Sequence, residues 1–266
     1  TCSASTATST AATLTTISPV VISTQPINAE ICSGSNTSFT VAGTSSQTIS
    51  YQWQVSTATV PAFTNIAGAT SATLSLNAVT TGLNGNQYRC LVSNTTCIAP
   101  VNSNTSVLTV RQLPAVGLTA APLLSLLPGK TTTLTATPGL QTTGTLTTSW
   151  FKNGAAISNT GNTRIINVEN TGTYRVNIQE VFASGLTCSN QSADVIIDAT
   201  VSDKLFIFPS PNNGQFTVSY YNNGGNSTNR TVTVYDTKGD RVRYKNFTVA
   251  GPYTLLSIDI RGTHKG

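Results

Sequence analysis

Apolar and polar residues alternate along most of this chain in short runs, the period expected of strands buried on one face only. In Thr37-Ser38-Phe39-Thr40-Val41 the alternation sets Phe39 and Val41 on one face and Ser38 and Thr40 on the other. Gly85-Asn86-Gln87-Tyr88-Arg89-Cys90 and Gly172-Thr173-Tyr174-Arg175-Val176 show the same period. Gly, Asn, Pro and Ser clusters interrupt the runs, and no amphipathic helix of useful length is visible. The pattern predicts an all-β chain.

The strands recur. Cys2, Cys97 and Cys188 each follow a Thr and lie 95 and 91 residues apart. Each precedes a polar stretch and then a β-branched run, as in Ala12-Thr13-Leu14-Thr15-Thr16, Val107-Leu108-Thr109-Val110 and Val195-Ile196-Ile197. Other landmarks keep the same order: Gly34 and Gly129 before a strand, then Trp53 and Trp150, then Tyr88 and Tyr174. A period of about ninety residues suits a sandwich domain of ~100 residues.

These landmarks resemble the immunoglobulin superfamily across residues 18–199. Trp53 and Trp150 match the buried tryptophan of strand C. Tyr88 and Tyr174 match the tyrosine corner of strand F, two residues before the core positions Cys90 and Val176. The family's disulfide between strands B and F would join positions 41 and 90, but position 41 is Val, and the second copy has Ala136 and Val176. Cys90 is therefore expected as a buried free thiol behaving as a small hydrophobe. The expected organisation is tandem immunoglobulin-like β-sandwiches at 18–111 and 112–199, followed by a small C-terminal β-sandwich at 200–266. Residues 1–17 read as the last strand of a truncated preceding domain, with a Thr-rich glycosylated stalk as the alternative.

The cysteines leave two pairings open. Cys32 precedes strand B, whereas Cys97 and Cys188 follow strand F, in the F–G turn. Those loops lie at opposite ends of a sandwich, roughly 20 Å apart by strand length, so a Cys32–Cys97 bond inside one domain is awkward. In a head-to-tail array Cys32 meets Cys188 across the junction instead.

From about Thr200 the pattern shifts to hairpins with turns every ten residues or so. Pro209-Ser210-Pro211-Asn212-Asn213-Gly214 with Phe216, then Val232-Thr233-Val234-Tyr235-Asp236-Thr237-Lys238-Gly239, then Ile258-Asp259-Ile260 leading to Lys265-Gly266, resemble the type A C-terminal sorting domain of the type IX secretion system. The resemblance carries the sorting-signal role onto Pro209, Pro211, Asn212, Gly214, Phe216, Tyr235, Gly239, Lys265 and Gly266. Ser210 stands where the family usually has Asn, and the family continues into a Tyr-containing strand after Gly266. The resemblance implies export through the type IX translocon, recognition by a shuttle barrel protein, and cleavage by a sortase-like protease that attaches cargo to surface lipopolysaccharide. It implies a secreted or cell-surface location. Pro209 and Pro211 are expected to form a stiff extended lead-in. The plainer reading is a third sandwich whose Pro and Gly only form turns.

Composition narrows the function further. Only 9% of residues are charged, and Thr, Ser and Asn supply the polarity instead. The net charge of +5 includes no basic run with interleaved aromatics, which argues against nucleic acid. No apolar stretch reaches the ~20 residues of a membrane span. The single His264 and scattered carboxylates form no catalytic or metal-ligand pattern, so no cofactor is expected. A surface adhesin with repeated spacer modules is the expected parent; the alternative is the stalk and export tag of a secreted enzyme whose catalytic domain lies upstream.

Overall fold

A computed structural model describes residues 8–11, 18–95, 99–139, 144–158, 161–222 and 227–262. Among them the helical pieces are two 3-10 turns, Thr81–Leu83 and Val168–Asn170. Everything else regular is strand, and the fold is all-β. Two compact units emerge, Thr1–Gln112 and Leu113–Gly266.

In the first unit the strands are β1 (Ala29–Cys32), β2 (Thr37–Thr40), β3 (Ile49–Ser56), β4 (Thr73–Leu76), β5 (Gln87–Asn94) and β6 (Ser106–Arg111). Strand β6 pairs in parallel with β1 and antiparallel with β5, and β5 pairs with β3. Across the core, β2 pairs with β4. This is the immunoglobulin layout, with β3, β5 and β6 as strands C, F and G. The alternation read from sequence is obeyed: Tyr88, Cys90 and Val92 of β5 are buried in turn. Phe39 stacks on Tyr88 at 4.9 Å and tilts towards Trp53 at 6.5 Å. Trp53 lies opposite Cys90, and its Nε1 donates to the Ser71 carbonyl at 2.9 Å. That bond satisfies the one polar atom of a fully buried indole.

The second unit begins with a copy of this sandwich: β7 (Ala115–Ala121), β8 (Thr131–Gly139), β9 (Thr145–Lys152), β10 (Thr163–Asn167), β11 (Gly172–Val181), β12 (Thr187–Gln191) and β13 (Val195–Ala199). One sheet runs β7-β8-β10; in the other, β11 pairs with β9 and with both β12 and β13. Trp150 lies opposite Val176 and donates to the Gly161 carbonyl at 2.9 Å. The Tyr174 hydroxyl donates to the Asn170 carbonyl, the bond that defines a tyrosine corner.

Residues 205–259 add a smaller sandwich: β14 (Leu205–Phe208), β15 (Gln215–Tyr220), β16 (Thr228–Tyr235), β17 (Arg241–Val249) and β18 (Leu256–Asp259). Strands β14-β15-β18 form one sheet, and β16 and β17 form a hairpin that faces it. Period-two alternation gives β15 two buried faces. Phe216, Val218 and Tyr220 turn towards Val232 and Phe247 of the hairpin, around Val218, Val249 and Leu256. On the other side, Phe206, Tyr221 and Tyr253 join the cluster of Leu126, Trp150 and Ile197, so the tail shares the hydrophobic core of the second sandwich.

Three expectations about local structure change. Cys32 does not sit in a loop: it ends β1, which pairs with strand G. Nor does Cys188 sit in the F–G turn. It lies buried on β12, opposite Glu180, because strand G is broken into β12 and β13 around Ser192 and its first half starts at Thr187. Pro209 and Pro211 do not form an extended lead-in; the run 209–214 is a series of bends between β14 and β15. Residues 1–7 and 12–17, Cys97, Lys265 and Gly266 lie outside the described residues, and so does the strand expected within 1–17.

Candidate functional site in the C-terminal sandwich

The bends at 209–214 owe their shape to Asn and Gly. The Asn212 carboxamide oxygen accepts the Gly214 amide at 2.9 Å, a side-chain turn that reverses the chain before β15. Gly214 takes φ +95°, and a Cβ there would lie 2.9 Å from Cγ of Arg261. Both facts require glycine. Pro209, Pro211 and Asn212 are exposed.

The far end of the domain meets this run. The Ile260 amide donates to the Gly214 carbonyl at 2.8 Å, and Gln215 Nε2 donates to Asp259 at 2.9 Å. Arg261 Nη2 reaches the same carboxylate at 2.8 Å. The Arg261 side chain, then its amide, then Gln215 hold the Asp259 carboxyl well below the usual carboxylate range. Two motifs separated by over forty residues in sequence thus form one stitched corner. A cleft of about 410 Å³ opens beside it, between Pro209, Phe216 and Asp259 on one side and Arg243 and Lys245 of the hairpin on the other. Among the described residues no carboxylate pairs with Arg243 or Lys245.

The remaining motif residues lie on the hairpin. Asp236 shapes its turn by accepting the amides of Lys238 and Asp240 at 2.8 and 2.9 Å. Gly239 completes the turn at φ +94°. Tyr235 follows a bulge after Val234 and is exposed. It borders a groove of about 630 Å³ floored by Leu205, Ile207, Val218, Val232 and Val234. Leu205 and Ile207 are 59% and 47% exposed there. In both larger sandwiches a strand F lies beside strand C, whereas β16 pairs only with β17 among the described residues. Among the described residues the other edge of β16 is unpaired and lies over this apolar floor.

The structure therefore brings Pro209, Asn212, Gly214 and Phe216 to one corner and places Tyr235 and Gly239 apart from it on the hairpin. The sequence reading missed Arg243 and Lys245, which gain a shared location only once the hairpin folds over the sheet. It also missed Tyr253. This residue lies between β17 and β18 and is 3% exposed, and its hydroxyl donates to the Thr200 carbonyl at 2.8 Å. Burial pushes its phenol pKa up.

Cys90 is a buried free thiol, and burial raises its pKa. Cys32 and Cys188 are each disulfide-bonded. Among the described residues no group of three or more His, Cys, Asp or Glu side chains is placed to hold a metal ion. No helix among them is long and apolar enough to cross a membrane.

Comparison with known proteins gives two family matches. Residues 21–112 match a domain of unknown function (DUF8696), and residues 206–266 match the secretion system C-terminal sorting domain. No curated protein matches the chain. Among solved structures, an I-band fragment of titin is 12% identical over 92% of this chain and 89% of that one, with a TM-score of 0.38. The N-terminal four Ig domains of Dscam1 isoform 6.9 are 18% identical over 65% of this chain and 43% of theirs, with a TM-score of 0.32. The Ig1-2 module of the Drosophila receptor protein tyrosine phosphatase DLAR is 18% identical over 69% of this chain and all of its own, at 0.31. The chain spans less than half the length of the four-domain Dscam1 structures. The immunoglobulin-like fold itself is carried by the strand pairing described above. Residues 206–266 are a type IX C-terminal sorting domain, and the protein that carries them is delivered to the bacterial cell surface or beyond it.

Proposed function

We propose that the chain is the non-catalytic base of a secreted surface protein, with immunoglobulin-like modules acting as spacer or adhesion units and the tail acting as the export signal. The tail would be read by the shuttle barrel protein of the type IX translocon, then cut by a sortase-like protease that transfers the cargo to surface lipopolysaccharide. The observation that carries this reading is the family match at 206–266 together with the corner at 209–216 and 258–261. Its Pro and Asn side chains are exposed for a receptor to read, while Gly214 and Asp259 fix their geometry. The sandwiches support a spacer role: each packs an indole and a tyrosine into a two-sheet core, the second one shared with the tail.

The test is export of the full chain and of a variant lacking 205–266, each behind an inner-membrane leader, in a bacterium that runs this route. The full chain is expected at the surface or in the medium, and the shortened chain in the periplasm. Surface delivery of the shortened chain would overturn the reading.

A further inference from the structure

The segment 200–204 joins the second sandwich to the tail without regular structure, and both ends of it are held. The Thr200 amide donates to the Leu126 carbonyl at 2.8 Å, from the sandwich side. Its carbonyl accepts the Tyr253 hydroxyl at 2.8 Å, from the tail side. At the other end Phe206 packs edge-on against the Tyr253 ring at 5.8 Å, and Tyr221 does so at 5.5 Å. The loop that presents Tyr253 is itself braced. Thr254 Oγ1 donates to the Ala250 carbonyl at 2.7 Å and accepts the Ala250 amide at 3.1 Å, while the Asn222 amide donates to the Pro252 carbonyl at 2.8 Å.

We infer that the Tyr253 loop is a latch that controls proteolytic separation of the tail, by pinning Thr200 and Phe206 so that the segment between them is withheld from a protease. A protease binds its substrate extended over several residues on each side of the scissile bond. Val201 and Lys204 are exposed, but only 201–205 lie between the two pinned positions, too few to enter an active-site cleft while both ends hold. Cleavage therefore waits for local opening, and its rate follows the population of the opened state. The opening is undocking of Tyr253 from the cluster around Leu126, Trp150 and Ile197. A receptor that draws the tail away from the sandwich would open the latch and expose the junction. The inference rests on the reading that the tail is removed by proteolysis at the cell surface.

The experiment is limited thermolysin digestion of the full chain, scoring cuts within 200–205 by mass spectrometry, for the native protein, Tyr253→Phe and Tyr253→Ala. Tyr253→Phe keeps the packing and loses one hydrogen bond, so its junction cleavage should rise about three- to tenfold. Tyr253→Ala should raise it by at least a further tenfold. Val218→Ala, which loosens the tail's own core away from the latch, should instead speed cuts throughout the tail. Should Tyr253→Ala fail to fold, Tyr253→Phe with an unchanged circular dichroism spectrum carries the test. Junction rates equal to those of the native chain in a folded Tyr253→Phe would overturn the latch. A parallel arm follows processing of the native chain in the exporting bacterium. Absence of any cut there would overturn the processing reading, and the gate with it, whatever the thermolysin rates.

Discussion

The hydroxyl of Ser103 accepts the amide of Cys90 at 2.9 Å, while the Ser103 amide donates to the Cys90 carbonyl at 2.8 Å. Eighty-nine residues on, Ser192 repeats both bonds with Val176, at 3.1 and 2.9 Å. Each serine also donates its hydroxyl to the carbonyl of the residue that follows it, Asn104 and Ala193 respectively, at 2.8 Å. Strand G is interrupted at these serines, and the side chain supplies the acceptor that a continuous strand would have offered to the core position of strand F. Both serines are buried. Removing either hydroxyl leaves a buried amide without its acceptor, a loss of about 1–3 kcal/mol. Ser103→Ala and Ser192→Ala are each expected to lower the denaturation midpoint accordingly. An unchanged midpoint in both would show that the backbone closes the gap unaided.

Cys90 occupies a core position of strand F, where the Val41 side chain stands in place of a disulfide partner. Burial raises its pKa, since the thiolate is the form that desolvation penalises. In the folded chain Cys90 should therefore resist alkylation at pH 8 and label only on unfolding. The linkage has a definite sign. With the folded pKa above the unfolded one, this thiol favours folding at neutral pH, and that contribution is lost as pH rises through and beyond the ordinary thiol range. Rapid labelling of Cys90 in the native protein would contradict the packing described here.

The sandwiches were legible because two signals agreed at every step: period-two alternation and a ninety-residue repeat of Trp, Tyr and Gly landmarks. Trp53 and Tyr88 could be placed on strands C and F through the resemblance of these landmarks to the immunoglobulin superfamily. The interruption of strand G was not legible, because Asn102-Ser103-Asn104 and Gln191-Ser192-Ala193 read as ordinary polar loop. That is why Cys188 was expected in a turn and lies on a strand. In the tail, Gly214 and Asn212 announced a turn through backbone chemistry that is local. The Arg243–Lys245 cleft and the Tyr253 docking were hidden, because each depends on which face of a distant strand turns inward. Tyr253 in Pro252-Tyr253-Thr254 carries no pattern of its own.

Cys188 is the only cysteine between residues 113 and 266, and it is disulfide-bonded. Cys90 is free, and Cys32 is bonded. The sequence reading that paired Cys32 with Cys188 therefore makes a sharp expectation: non-reducing peptide mapping should recover those two joined. Such a bond would close a loop of about 155 residues, and its reduction should cost about 2–5 kcal/mol of resistance to unfolding. Recovery of Cys32 joined to Cys97 would discard the pairing.

Replacement of Gly214 should be felt in the tail and not in the first sandwich. At φ +95° an L-residue is strained, and the added Cβ would meet Arg261 at 2.9 Å. Gly214→Ala should destabilise the tail by about 1–3 kcal/mol. Hydrogen exchange resolved by segment checks this: amides of 215–220 should exchange faster while those of 87–94 stay as they are. Uniform acceleration across both segments, or none, would refute it.

Acid should loosen the same corner. Arg261 and Gln215 hold the Asp259 carboxyl below its ordinary range, so the folded chain keeps this group ionised where the unfolded chain would already take up a proton. A depressed folded pKa contributes stability that is present above the unfolded value of about 4 and is lost as pH falls towards the folded value. The group is exposed, so the effect should also shrink at high salt. Lowering pH from 6 to 3 at low ionic strength is expected to lower the protection factor of the Ile260 amide, its exchange measured against the intrinsic rate at each pH, because its partner is the Gly214 carbonyl of that corner. In Asp259→Asn that protection factor should already be lower at pH 6 and should respond less to acid. An equal acid response in both proteins would mean that the corner is held by its backbone bonds and that the Asp259–Arg261 pair is incidental.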